Sequence, residues 1–235
     1  MRMPTDTRAL LRLMQLVDSA VPIGGQSHSF GWETLTDMGA VRPDNLEAAV
    51  RAYLAEAAPL DAAFVRAGHA APHPNPLSQR ERGAFDNTWT DLAERLDARK
   101  PAREARDASA TLGRRLLELT ARLEPFPPVV RALALCREGV RAHHAPAFGL
   151  AAAAVGADAD TAAATFVQQS VAALISAAQR LIAVGQNQAM QVSWDIKDAI
   201  LSAAANTDTE IWSYTALFEA ASMRHPMLTT RLFIS

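Results

Sequence analysis

Ser27 and His28 are the neighbouring residues in this sequence that could act as a nucleophile and its base. Adjacent side chains rarely reach one reacting atom together, and no third residue that would orient His28 can be identified. The sequence also contains neither the GxSxG pattern of serine hydrolases nor the phosphate-binding loop of nucleotide hydrolases. We therefore expect no catalytic residue and no enzymatic activity.

Cys136, His143 and His144 are the residues that could bind a metal ion. Cys136 and His143 are seven positions apart, so a helix would place them near one face. Thiolate and imidazole donors suit zinc or nickel, although helical metal pairs are usually four residues apart. We favour a packed cysteine with surface histidines, and expect no cofactor. A nickel-binding metallochaperone that uses these three residues stays open as the alternative.

The segment 19–33 interrupts a sequence that otherwise favours helix. Pro22 has a fixed φ and no amide hydrogen, and Gly24, Gly25 and Gly31 permit backbone conformations that a side chain would penalise. Amide groups after the glycine pair could hold an anion at a helix start, but no lysine or arginine is near in the sequence. A loop with so many constrained positions indicates recognition of another molecule.

The composition favours an all-α protein of the cytoplasm. Hydrophobic residues make up 49% of the 235 positions, many of them alanine, and aromatic residues only 6%. The net charge of −2 argues against nucleic acid as a partner, and one cysteine cannot form an internal disulfide. Residues 161–179 are uncharged, but their glutamines and serines share one side, so we expect an amphipathic helix and no membrane contact. Residues 1–6 lack the pattern of a signal peptide.

Apolar periodicity predicts a single-domain bundle of about ten helices over residues 1–235. The main predicted helices cover 7–18, 46–58, 61–70, 84–98, 102–123, 128–143, 147–155, 159–185 and 187–204, and another follows a capping box at Thr207. Asp44 and Glu47 form a second predicted capping box. Three prolines predict an exposed loop at 72–83. Residues 226–235 form a tail whose Leu232 and Phe233 either enter the core or dock on another protein.

Five motifs run through the chain in a fixed order. They are Leu10-Leu11-x-Leu13-x-Gln15-Leu16 with Pro22-x-Gly24-Gly25-x-Ser27-x-Ser29-x-Gly31-x-Glu33; Glu104-x-Arg106 with Gly113 to Leu116; His144 with Gly149; Arg180-Leu181-Ile182 with Gly185-Gln186 and Gln191; and Arg231-Leu232-Phe233-x-Ser235. Together they resemble the urease accessory protein UreF family. The chain departs from that pattern at Ala183-Val184, at Pro226, at Ile234 and in the insertion 72–83.

The resemblance implies an all-α homodimer without catalytic activity. UreF-like proteins bridge UreD, also called UreH, and the GTPase UreG during nickel delivery to apo-urease, and they modulate that GTPase. In that family the amino-terminal region and the tail engage UreD. Carried over by motif, the partner-binding residues are Pro22, Gly24, Gly25, Ser27, Gly31 and Glu33, together with Arg231, Leu232, Phe233 and Ser235.

Overall fold

The structure is a computed structural model that describes residues 6–71, 78–210 and 216–234. Within these ranges all regular secondary structure is helical, which confirms the all-α prediction. The α-helices are α1 (Thr7–Leu16), α2 (Trp32–Asp37), α3 (Leu46–Glu56), α4 (Ala58–Ala70), α5 (Gln79–Arg99), α6 (Arg103–Leu123), α7 (Pro127–Arg137), α8 (His144–Ala154), α9 (Ala159–Leu181), α10 (Gln186–Asp195), α11 (Lys197–Ala204) and α12 (Ala216–Arg224). Short 3-10 turns cover Gly25–Ser27 and His225–Met227.

Three helix boundaries differ from the sequence prediction for local reasons. Pro59 lies in the first turn of α4, where its missing amide hydrogen is not needed, so α4 begins at Ala58. Gly139 has φ of +101°, and α7 ends just before it at Arg137 rather than at 143. Ile196 separates α10 from α11, so the single helix predicted over 187–204 is two helices.

The start of α5 lies inside the predicted proline-rich loop. The Ser78 hydroxyl accepts a hydrogen bond from the Glu81 amide at 3.4 Å, and the Glu81 carboxylate accepts one from the Ser78 amide at 2.9 Å. This reciprocal pair is a capping box, which sets the helix start at Gln79. Residues 79–83 are therefore helical, whereas 72–77 lie outside the described residues.

The two capping boxes predicted from sequence do not open helices. Asn45 rather than Asp44 precedes α3, and its side chain makes no cap hydrogen bond. Thr207 is followed by a turn, and the Glu210 carboxylate binds Arg99 at 3.0 Å instead of capping a helix. Residues 211–215, where that predicted helix would continue, lie outside the described residues.

Helices α4, α6, α8 and α9 form the centre of the molecule, and α4 and α8 cross very closely. A Cβ added at Gly149 of α8 would lie 1.9 Å from the Val65 carbonyl oxygen of α4. A Cβ added at Gly68 of α4 would lie 2.2 Å from the Pro146 carbonyl oxygen of α8. Only glycine fits at both contacts, so this backbone approach requires both residues.

Helix α9 is the central helix that the apolar pattern predicted, although it ends at Leu181 rather than at 185. Among the described helices it alone is long and apolar enough to meet a membrane-span test of length and composition, and half of its most apolar window is buried. Val171, Leu174 and Ala178 lie in the hydrophobic core. In this fold the segment is a core helix.

Candidate functional site

The loop between α1 and α2 is built around two glycines with left-handed backbone. Gly24 has φ of +88° and Gly31 has φ of +90°. A Cβ at Gly31 would lie 2.8 Å from the Ser222 hydroxyl oxygen and 2.9 Å from the Phe218 carbonyl oxygen, both on α12. Glycine at these positions therefore sets the loop conformation and lets the start of α2 pack against α12.

Two arginines from distant helices hold the loop by its carbonyl oxygens. Arg115 of α6 donates to the Ile23 carbonyl at 3.1 Å, and Arg180 of α9 donates to the Gln26 carbonyl at 3.3 Å. The Ser27 amide donates to the Gly24 carbonyl at 3.1 Å, so it has no role in an anion cradle. Arg115 and Arg180 supply the positive charge that the sequence near the loop lacks. Their guanidinium groups bind carbonyl oxygens of the loop instead of an anion.

The carboxyl-terminal tail lies against this loop. The Ile234 amide donates to the Ser27 carbonyl at 2.8 Å. Phe233 is 6% exposed, and its ring centroid lies 5.7 Å from the Arg180 guanidinium carbon. Leu232 and Ile234, in contrast, are 66% and 65% exposed. The sequence left open whether the tail enters the protein's own core or docks on another protein. Phe233 is buried in the protein's own core, whereas its neighbours Leu232 and Ile234 point outward.

Glu33 of α2 fixes the tail backbone. One of its carboxylate oxygens accepts from the Leu232 amide at 2.6 Å and the other from the Phe233 amide at 3.2 Å. Glu33 is only 5% exposed, and hydrogen bonds to a buried carboxylate are among the stronger ones. The carboxylate therefore holds two residues that follow it by about 200 positions in the sequence.

His225 joins Glu33 to a second carboxylate. Its Nε2 lies 2.8 Å from a Glu33 oxygen and its Nδ1 lies 2.8 Å from a Glu104 oxygen, and the ring is fully buried. Arg231 completes the group with an ion pair to Glu104 at 3.3 Å. We call Glu33, Glu104, His225 and Arg231 the tail cluster.

The donor and acceptor roles in the tail cluster depend on which His225 ring nitrogens carry hydrogen. Ionised carboxylates only accept hydrogen bonds, and a neutral imidazole donates from one nitrogen alone. Both ring contacts of His225 are therefore hydrogen bonds only when the ring carries two protons or one carboxyl carries one.

Comparisons with known proteins identify the family of the chain. The sequence model of UreF matches residues 41–197. The chain belongs to the UreF family. It is similar to the urease accessory proteins UreF of Paenarthrobacter aurescens, at 30% identity over 96% of this chain and 97% of the relative, and of Kocuria rhizophila, at 32% over 96% and 97%. UreF of Corynebacterium glutamicum is 30% identical over 98% of this chain and its own full length.

Four of the five UreF motifs meet at the tail and its loop. The first contributes Glu33, the second Glu104, the fourth Arg180, and the last Arg231 and Phe233. In the third motif, Gly149 sits at the crossing of α4 and α8. Ser235 lies outside the described residues. The motifs therefore mark one assembled site rather than separate local features.

Sequence reasoning missed two members of this site. The sequence patterns do not single out His225, although its neighbour Pro226 marks a chain reversal that can bury a side chain. Arg115 has no assigned role in the second motif, but its guanidinium binds the loop carbonyl of Ile23. The signal that could have found Arg115 is its place in the same motif as Glu104.

The Ser27–His28 pair gains no support as a nucleophile and base. Burial and the nearby Arg115 guanidinium lower the pKa of His28. Its ring centroid lies 5.8 Å from that of Phe30, and Ser27 binds the tail through its carbonyl oxygen.

The candidate metal residues have other surroundings. The prediction of surface histidines is wrong, because His143 is fully buried and bonds Ser109 at 3.2 Å and Asp97 at 3.1 Å. The His144 ring packs against Phe166, with centroids 5.1 Å apart. Burial lowers the pKa of both histidines to about 4 and raises that of the Cys136 thiol. In the described part of the chain no three metal-binding side chains form a group that could hold an ion.

A cavity of about 660 Å³ extends from the loop along α9. Gln26 and Arg180 line it at the loop, and Phe166 and Glu219 are also among its walls. Burial raises the pKa of Glu219, which accepts a hydrogen bond from the Ala102 amide at 3.3 Å. Arg180, which contacts Phe233 of the tail, therefore also forms part of the cavity wall.

Proposed function

We propose that this UreF-family protein is a non-catalytic scaffold of the cytoplasm that links UreD (UreH) and the GTPase UreG while nickel is inserted into apo-urease. The observation that carries the proposal is the tail held by Glu33 against the amino-terminal loop, with Leu232 and Ile234 pointing outward. Nickel is the cargo of the assembly in this proposal. Neither a membrane nor a nucleic acid is a partner.

The tail and α1 supply apolar surface for UreD. Leu232 and Ile234 are exposed in the tail, and Leu10, Leu11 and Met14 are 43%, 63% and 57% exposed on α1. Side chains of this kind add binding free energy when a partner removes them from water. Hydrogen bonds from the backbone amides of Leu232 and Ile234 fix these two tail residues before binding, which reduces the entropy lost on association.

The proposed mechanism is thermodynamic coupling between partners. A homodimer binds UreD and UreG in the arrangement that is competent for nickel transfer. Modulation of the GTPase requires that the scaffold bind its nucleotide states with different affinities, and by linkage the nucleotide then changes the affinity for the scaffold. The scaffold needs no reacting residue for this role.

Co-purification with UreD tests the role of the tail. Deletion of residues 227–235 or the substitution Leu232→Asp should reduce the amount of UreD recovered, while the helical circular dichroism signal is retained. Val130→Asp, on the exposed side of α7, is the matched control because Val130 is 51% exposed and far in sequence from the tail. Unchanged recovery of UreD with both tail variants would exclude the tail as the contact.

A further inference from the structure

The cavity beside α9 is large enough for a small organic molecule. Its volume of about 660 Å³ lies within the roughly 300–1,000 Å³ that is typical of ligand pockets. Side chains of α3, α4, α6, α8, α9 and α12 contribute to its wall, together with the loop between α1 and α2. Pockets between packed helices are common ligand sites, and the scaffold role proposed above makes no use of this one.

Aromatic side chains form much of the apolar wall. In the described part of the chain they are Phe30, Tyr53, Phe166 and Phe218, which come from three helices and the loop. The rings of Tyr53 and Phe218 meet edge to face, with centroids 6.0 Å apart. Aromatic rings attract one another in edge-to-face and offset contacts. The ring of a ligand therefore finds suitable contacts with more than one element of the wall.

The charged side chains that line the cavity already have partners within the chain. The Lys100 ammonium group pairs with the Asp61 carboxylate at 3.2 Å. Arg180 donates to a loop carbonyl, and Glu219 accepts from a backbone amide. The two cations and two carboxylates of the wall balance each other. A charged ligand would lose its hydration without gaining a free counter-charge, so the wall favours neutral molecules.

Two neutral side chains of the wall can bond a ligand. Among the residues that the structure describes, His144 Nε2 and Gln169 Oε1 are buried without a hydrogen-bond partner. Both side chains line the cavity. Both also lie beside Phe166, because the His144 ring packs against it and Gln169 follows it by three positions on α9. An unpaired buried polar atom costs free energy, which a hydrogen bond from a ligand offsets.

The chemistry of these two groups defines the ligand further. The terminal torsions of histidine and glutamine are broad, so small rotations bring both atoms to the cavity surface. The Gln169 oxygen only accepts hydrogen bonds, so the ligand has to donate one. Burial lowers the pKa of His144 to about 4, and its ring is therefore neutral at neutral pH.

We infer that the cavity binds a small, neutral aromatic molecule that donates a hydrogen bond to Gln169 and forms another with His144. The inference goes beyond the proposed function, because it requires neither UreD nor UreG. Its test therefore leaves the scaffold role unaffected.

Fluorescence titration of the full-length protein with N-phenyl-1-naphthylamine tests the inference. This probe is neutral and aromatic, carries a single N–H donor and becomes more fluorescent in apolar surroundings. We expect saturable binding with a dissociation constant of about 10–200 µM, as for a ligand of this size in a suitable pocket. Absence of saturable binding overturns the inference.

A pair of matched variants locates the probe. Ala173→Phe places a ring inside the cavity, because Ala173 is part of the wall, and should weaken binding at least about tenfold. Ala84→Phe is the control, since Ala84 is exposed on α5. Thermal unfolding checks that both variants are folded. Equal affinity of the two variants for the probe would place it elsewhere and overturn the inference.

A second set of measurements tests the chemistry of the site. Gln169→Leu should weaken N-phenyl-1-naphthylamine about three- to tenfold, because the acceptor is lost. It should not weaken 1-benzylnaphthalene, in which a methylene group replaces the N–H, measured by competition. The variant should fold, since leucine removes an unpaired polar atom. An equal loss of affinity for both compounds would contradict the hydrogen bond.

An anionic probe tests the preference for neutral ligands. The compound 8-anilino-1-naphthalenesulfonate has the ring system of the neutral probe with an added sulfonate. We expect it to bind at least about tenfold more weakly, because the wall offers the sulfonate no free cation. Tighter binding of the anion than of the neutral probe would overturn the assigned ligand class.

Discussion

At the scale of single residues, Glu33 connects distant parts of the chain. It accepts two tail amides and contacts His225, which is 192 positions away. A carboxylate that is almost fully buried is tolerated because each of its oxygens has hydrogen-bond donors. Glu33 thus belongs to the structure of the tail, although the sequence motif alone indicated only a partner contact.

Glu33→Gln is expected to loosen the tail. The amide keeps the shape of the carboxylate but loses its charge, and one acceptor position becomes a donor that faces other donors. We expect faster hydrogen exchange at the Leu232 and Phe233 amides and a stability loss of about 1–3 kcal/mol. Glu47→Gln on the exposed side of α3 is the control. Equal protection of the two tail amides in both variants would contradict the assignment.

His143 and His144 predict how stability depends on pH. Burial lowers the pKa of His143 and His144 to about 4, below their ordinary value of 6.5. The unfolded chain therefore binds more protons than the folded chain between these values, so stability decreases as the pH falls from 6.5 towards 4. Urea midpoints measured at several pH values should show this slope.

His144→Leu should reduce the slope, because one of the two titrating groups is removed and Leu suits contact with Phe166. The comparison uses the difference in slope between variant and wild type, in which the contributions of groups far from His144 cancel. A variant with the wild-type slope would show that His144 does not titrate in this way.

At the scale of elements, the crossing of α4 and α8 depends on glycine. We expect Gly149→Ala to destabilise the protein by about 1–3 kcal/mol or more, because the new methyl group would lie 1.9 Å from the Val65 carbonyl oxygen. Gly83→Ala on α5 is the matched control, since a Cβ there has no neighbour within 4 Å. It should stabilise by about 0.5–1 kcal/mol through helix propensity. Equal effects on the melting temperature would refute the close crossing.

At the scale of the whole molecule, the hydrophobic core has two clusters that share helices. Leu116 of α6 lies in the larger cluster, and its neighbour Leu117 lies in the smaller one. Helix α8 is divided in the same way, with Phe148 in the larger cluster and Leu150 in the smaller. Because rigid helices connect the clusters, we expect them to unfold together.

Leu150→Ala tests this cooperativity. Removal of a fully buried leucine from the smaller cluster should cost about 2–5 kcal/mol. The unfolding midpoints from tryptophan fluorescence and from circular dichroism should both move, by the same amount. Separate transitions would show that the two clusters are independent folding units.

The sequence determined the helical elements and the family. Apolar periodicity gave α6 and α9 with nearly correct starts, because a helix depends on residues three and four positions apart. The motif residues Glu33, Arg231 and Phe233 were also identified from the sequence. The sequence prediction was wrong at the start of α5, where the capping box of Ser78 opens the helix. The nearby prolines had indicated a loop there instead.

Only the tertiary structure decided that these motifs form one site. Glu33, Glu104 and His225 come from three distant parts of the chain, and no local pattern encodes which buried carboxylate will meet which imidazole. Packing of α2 against α12 brings these side chains together. Once they are buried, each polar atom needs a hydrogen-bond partner, because an unpaired buried polar group costs free energy. The loop that the sequence marked as a recognition element is, in the folded chain, first of all the support of the protein's own tail.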